Sequence, residues 1–202
     1  MTPYDPQKHH RRSIRLRGWD YRNPGWYFVT LVVQNRECLF GRVLNGEMVL
    51  NEYGKICNQC WLDIPEHFEN VTLDEYQIMP NHMHGIIVIQ PNENDVVGAR
   101  HAVPLLPHAM PLQSEQPIRE FGKPIPKSLS TIIGSFRSAV TNRINKYRQT
   151  PGAKLWQRNF GECHAFRHWE HIIRDENELN RIRQYIKNNP LKWDDDHYYE
   201  MM

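Results

Sequence analysis

The chain has 202 residues, a net charge of +2 with histidine neutral, and 40% apolar residues. That length can bury the core of one ordinary domain, or of one domain with a large insertion. No apolar run reaches the length of a membrane span, and the N-terminus is too polar for a signal peptide. Four cysteines, Cys38, Cys57, Cys60 and Cys163, do not make the disulfide framework of a secreted protein at this size, so the expectation is a reduced, cytoplasmic protein.

Residues 1–25 are polar, basic and turn-rich, and read as an arm carrying Arg11, Arg12, Arg15 and Arg17. Trp26 to Val33 is β-branched and aromatic throughout, the pattern of a buried central strand. Residues 45–50 open on Asn-Gly, a hairpin-turn signal, and predict a short strand. Asn51 is a good N-cap for a helix over 52–63, ended by Pro65, with Cys57 and Cys60 as structural positions on it. A strand over 70–79, a tight turn at Pro80-Asn81 and a strand over 82–90 follow.

Residues 91–126 hold seven of the fourteen prolines and no sustained period, so they read as a long excursion from one domain rather than a second domain. Ser128 caps a helix on which Leu129, Ile132, Ile133, Phe136, Val140, Ile144 and Tyr147 recur at helical spacing. Its polar side carries Arg137, Arg143, Lys146 and Arg148. Pro151-Gly152 ends it, and 154–158 predicts a last short strand. Residues 159–171 have no clear assignment. Asp175 caps a final helix over 176–188 with Leu179, Ile182 and Ile186 inward, and residues 191–202 read as an acidic tail. Strand, helix, two-strand hairpin, helix, strand is the split βαβ order. The expected fold is α+β, a ferredoxin-like antiparallel sheet with packed helices.

The charge is uneven. Residues 121–161 contain eight Lys/Arg and no acidic residue, and residues 7–36 set seven against the single Asp20. Single-sign surfaces of this kind favour a polyanion, most often nucleic acid; the plainer alternative is that they solubilise an arm and a helix. Within the second strand of the central hairpin, His82 and His84 project from one face. Two imidazoles so placed can share one metal ion, or can be hydrogen-bonded histidines at a turn. On the last helix Tyr185 and Asn189 are four apart, hence neighbours, with Arg181 one turn earlier.

At these residues the sequence resembles the single-tyrosine HUH (His-hydrophobic-His) transposases, and most closely the REP-associated tyrosine transposases. The matching features are Met79-Pro80-Asn81-His82-Met83-His84 and Tyr185-Ile186-x-x-Asn189-Pro190. Tyr27-Phe28-Val29-Thr30, Leu155-Trp156-Gln157 and His171-Ile172-Ile173-Arg174 support them, and the resemblance runs from about residue 11 to 193. It implies a metal-dependent nuclease and strand transferase acting on single-stranded, hairpin-forming DNA, as a monomer or a homodimer, in the cytoplasm at the nucleoid. By resemblance His82 and His84 are ligands of Mg²⁺ or Mn²⁺, Asn189 matches the third ligand and Tyr185 matches the nucleophile. Gly161 to Trp169 looks like extra sequence just before the tyrosine helix. The alternative is a domesticated protein that binds DNA hairpins without turnover. An incidental zinc site at Cys163, His164, His168 and His171, and base stacking by Trp156, Trp169, Trp193, Tyr198 and Tyr199, are lesser readings.

Overall fold

The computed structural model describes residues 20–91, 126–157 and 170–195. Its centre is the expected apolar hairpin. Strands β1 (Gly25–Val32), β4 (Val71–Ile78), β5 (His82–Ile89) and β6 (Glu170–Ile173) form one sheet in the order β4-β5-β1-β6, antiparallel at every pairing. That arrangement inserts β5 between β1 and β4, as a split βαβ order requires. The fold is the ferredoxin-like α+β sandwich read from the sequence.

The two faces of the sheet follow from the period of two along each strand. Tyr27, Val29 and Leu31 of β1 and Met83, Ile87 and Ile89 of β5 join the main core. Helix α1 (Glu52–Leu62) and helix α3 (Leu129–Tyr147) cover that face with Cys57, Trp61, Ile132, Phe136, Val140 and Ile144. Both N-caps are as expected: Asn51 Oδ1 accepts from the Gly54 amide at 3.0 Å, and the Ser128 side chain accepts from Thr131 N. Cys57 and Cys60 are buried free thiols, and burial raises both pKa values. The opposite face carries Trp26, Phe28, Ile86 and Val88 under helix α4 (Glu176–Asn188), which contributes Leu179, Ile182 and Ile186.

Gly85, between His84 and Ile86, faces α1. A methyl at its Cβ position would lie 2.3 Å from Trp61 Cζ2 and 2.8 Å from Cη2, against a ring that is itself fully buried. Gly85→Ala should therefore destabilise by about 1–3 kcal/mol through overpacking, read as a lower urea midpoint at unchanged slope. A neutral result would mean that α1 is free to move off the sheet.

Several expectations need correction. Residues 154–157, the described part of the expected 154–158 strand, are not a strand; an isolated bridge, Val33 to Trp156, forms there, because Trp156 turns into the core and its Nε1 donates to the Arg137 carbonyl. The fourth strand is β6, in the region that the sequence left unassigned. Helix α1 ends before Pro65 as expected, but Pro65 also sits in the first turn of a short helix α2 (Ile64–His67), where its missing N–H costs nothing. The Asn-Gly turn joins two strands, β2 (Gly41–Leu44) and β3 (Glu47–Leu50), with positive φ at Asn45 and Gly46. Tyr147 is 60% exposed despite its helical period, at the open end of α3. The acidic tail starts later than expected, since Pro190–Asp195 form a 3-10 turn with Trp193 buried. The basic arm through residue 19, residues 92–125, the extra segment 161–169 and residues 196–202 lie outside the described residues.

Candidate active site

The face of the sheet under α4 is apolar except at one end. There His82 and His84 open β5, and both are buried, at 0% and 2% exposure. Thr30 is the register partner of His84 on β1, and Gln77 its partner on β4. The imidazole centroids are 4.7 Å apart.

Each ring is oriented through its Nδ1. His84 Nδ1 lies 2.8 Å from Thr30 Oγ1, and His82 Nδ1 lies 2.8 Å from Asn81 Oδ1. An amide oxygen only accepts, so His82 carries its proton on Nδ1 and keeps a lone pair on Nε2. The same tautomer at His84, with Thr30 accepting, leaves Nε2 to receive the Tyr185 hydroxyl, 3.2 Å away. Burial pushes the His84 pKa down to about 3. Burial, and then the neighbouring His84, push that of His82 well below the ordinary value, against the weaker opposing effect of the Asn189 side chain. Both rings are therefore neutral at neutral pH and able to offer lone pairs.

Aromatic rings enclose the pair. Phe28 stacks on His84 at 5.4 Å, Tyr185 meets the His84 edge at 5.1 Å, and Trp193 stacks on His82 at 6.1 Å. Tyr185 is 38% exposed, so its hydroxyl stands between the buried histidines and solvent. Asn189, the C-cap of α4, is buried and acts on His82. The structure thus gathers the four residues singled out in the sequence, His82, His84, Tyr185 and Asn189, in one place. It adds Thr30, Asn81 and Phe28, which sequence reasoning missed as site residues. A lone hydroxyl on the Trp26-Phe28 face of an apolar strand was the available signal for Thr30; Asn81 was read only as a turn residue.

The α3 cations expected to contact DNA lie away from this site. Helix α3 lies across the sheet from Tyr185. Arg137 donates to the Gln157 carbonyl at 2.9 Å, Arg143 pairs with Asp63 at 3.2 Å, and Arg148 bonds the Asn145 side chain; Lys146 is exposed. Arg11, Arg12, Arg15 and Arg17 lie outside the described residues. Exposed cations on α4 and its flanks include Arg174, Arg181, Lys187 and Lys192. His171, from the incidental zinc reading, pairs with Glu178 at 2.8 Å.

The donor set fits a weakly held dication. Among the described residues no three His, Cys, Asp or Glu come together, so His82, His84 and the Asn189 amide oxygen would bring no negative charge. The imidazoles favour a transition metal, while the amide oxygen and phosphate oxygens favour a hard one; Mn²⁺ accepts both.

Burial of the histidines has a pH signature. A folded pKa below the unfolded value means that the unfolded chain takes up protons first, so stability is full above about pH 6.5 and falls as the pH drops toward 3. With His84 at about 3, chelator-treated protein should lose roughly 2 kcal/mol through this one group between pH 7.5 and 5. Urea titrations at the two pH values should show that loss, and His84→Gln should show a shallower one. Equal losses in both proteins would take His84 out of the account.

No family model matches the chain. An uncharacterized protein of Haemophilus influenzae is 39% identical over 198 residues, 98% of each chain. A second protein of that organism, provisionally described as a REP-associated tyrosine transposase, is 28% identical over 86% of this chain and 74% of its own. Among solved structures, a REP-associated tyrosine transposase bound to a REP hairpin matches with a TM-score of 0.52 at 15% identity, over 89% of this chain and 73% of its own. The solved structure shares the fold of this chain. The sequence of this chain is similar to that second Haemophilus protein over most of its length. No described helix is long and apolar enough to cross a membrane.

Proposed function

We propose that this chain is a metal-dependent endonuclease and strand transferase of single-stranded, hairpin-forming DNA, working through a 5′-phosphotyrosine at Tyr185. One observation carries the reading: the Tyr185 hydroxyl stands 3.2 Å from His84 Nε2, on the face that also holds His82 and Asn189. The hairpin substrate class is supported by the solved relative, whose structure holds a REP hairpin. Mg²⁺ or Mn²⁺ held by His82, His84 and Asn189 would polarise the scissile phosphate as a Lewis acid.

The chain's own residues do the rest. The Tyr185 oxygen attacks phosphorus and the bond from phosphorus to the 3′ oxygen breaks; the phenol gives up a proton and the departing oxygen takes one. The ester keeps the energy of the broken bond, so a 3′-hydroxyl can reverse the step without ATP. Thr30 and Asn81 hold both imidazoles with Nε2 available, and Phe28 and Trp193 wall them from solvent on two sides. Arg181, one turn before Tyr185 on α4, would meet a phosphate near it, whereas the α3 cations lie across the sheet.

The test is a covalent adduct. Incubating the protein with a hairpin-bearing single strand and Mn²⁺ should give a protein–DNA species that survives denaturing gels. Label 3′ of the cut should travel with the protein and label 5′ of it should not. Chelator should stop the reaction with little change in melting temperature, because Thr30, Asn81 and the stacked rings order the site without metal. Tight hairpin binding with no adduct on any strand or metal would overturn the enzyme reading in favour of a hairpin-binding protein.

A further inference from the structure

Helix α4 carries Tyr185, yet its apolar contact with the sheet is narrow: Leu179, Ile182 and Ile186. Its first turn is tied to β6, where Glu178 takes His171 at 2.8 Å and the Arg174 amide at 2.8 Å. Beyond that turn, besides the contacts of Tyr185 and Asn189 with the β5 histidines, polar ties run to β4, at an irregular point. Leu73 pairs with Ile87 and Tyr76 with Gly85, so β4 holds one residue more than β5 across that interval, a bulge at Asp74-Glu75. Asp74 receives the Arg183 guanidinium on both oxygens, Nε at 2.8 Å and Nη2 at 2.6 Å, and Glu75 receives Lys187 at 3.1 Å. The Arg183 guanidinium also lies over the Trp26 ring, 5.6 Å from its centroid. Burial alone would raise the Asp74 pKa; the Arg183 fork and the Glu75 amide reverse that and hold it below the usual carboxylate value.

At about 100° per residue, Arg183 and Lys187 lie roughly 160° around the helix from Tyr185, with the apolar stripe between them. The two cations therefore anchor one flank of α4 and the phenol hangs from the other. A roll of about 20° about the helix axis moves a side-chain atom some 6 Å out by roughly 2 Å, enough to take the hydroxyl out of reach of the histidines.

We propose that the bulge at Asp74-Glu75 is a clamp that fixes the roll of α4, making Asp74 the positioning residue that sets Tyr185 over His82 and His84. The proposal rests on the reading of Tyr185 as nucleophile, but the clamp can be measured without it.

The experiment uses the full chain and the double variant Asp74→Asn/Glu75→Gln, which removes both charges and keeps both shapes. Hydrogen exchange of α4 amides should speed up about tenfold, with β1 and β5 unchanged. At saturating hairpin single strand and Mn²⁺, the single-turnover rate of adduct formation should fall 10- to 100-fold, while the dissociation constant for the same strand stays within about threefold. Arg183→Lys, which keeps one contact of the fork, should fall between the two proteins in rate. Unchanged exchange in α4 overturns the clamp, whether or not an adduct forms. Faster exchange with an unchanged adduct rate overturns the positioning role. If the wild-type protein forms no adduct, the proposed function fails and the exchange result alone decides the clamp. Should the double variant fold poorly, Lys187→Gln removes only the outer, half-exposed pair and should show the same changes at a few-fold scale; no change there overturns the proposal.

Discussion

Tyr185→Phe should abolish the covalent protein–DNA adduct and leave the fold and hairpin binding in place. The substitution removes one oxygen. The ring keeps its edge contacts with His84 at 5.1 Å and Phe28 at 6.3 Å, and the hydroxyl it loses is a half-exposed partner of a neutral imidazole. Loss of such a hydrogen bond costs about 0.5–1.5 kcal/mol, so the melting temperature should shift by only a few degrees. The loss of chemistry should be complete, because no other described tyrosine hydroxyl is placed at His84; Tyr147 sits at the far end of α3 and Tyr76 bonds Asn58. Peptide mapping of the wild-type adduct should place the ester at Tyr185. Cleavage that persists in the variant without an adduct would make water the nucleophile.

The second large effect is expected at His84, and it depends on the residue chosen. His84→Ala should lose metal-dependent cleavage and also stability, on the order of 2–4 kcal/mol, since it opens a cavity under Phe28 and removes the partner of the buried Thr30 hydroxyl. The near-complete burial of the site histidines gives them core volume as well as chemistry. His84→Gln fills more of the space and retains polar atoms, so it should fold nearly as well while cleavage falls at least 100-fold. Calorimetric titration with Mn²⁺ should show the affinity lost in both variants, and hairpin binding in chelator should be preserved in His84→Gln. A His84→Gln variant that still cleaves with Mn²⁺ would remove His84 from the ligand set.

The local parts of this molecule were legible because their signals are local. Asn51, Ser128 and Asp175 each cap the helix they precede, since a short acceptor at that position meets an amide two or three residues on whatever the rest of the chain does. The antiparallel sheet followed from element order alone, and the side-by-side histidines followed from the two-residue period of a strand. The approach of α4 to β5 was expected only through family resemblance; no spacing along the chain contains it.

What only the tertiary structure decided were relations between segments far apart. Residues 154–158 and Glu170–Ile173 are both short and mixed in character. Which of them joins the sheet depends on the free edge of β1 and on Trp156 turning into the core. Thr30 became the partner of His84 through the register of β1 on β5, and Asp74 the partner of Arg183 through a one-residue bulge. The basic period of α3 was plain in the sequence, but the face of the sheet it covers was not. Which face it covers puts those cations across the sheet from Tyr185, because the helix buries its apolar stripe against the odd-numbered residues of β1 and β5 while the histidines occupy even positions.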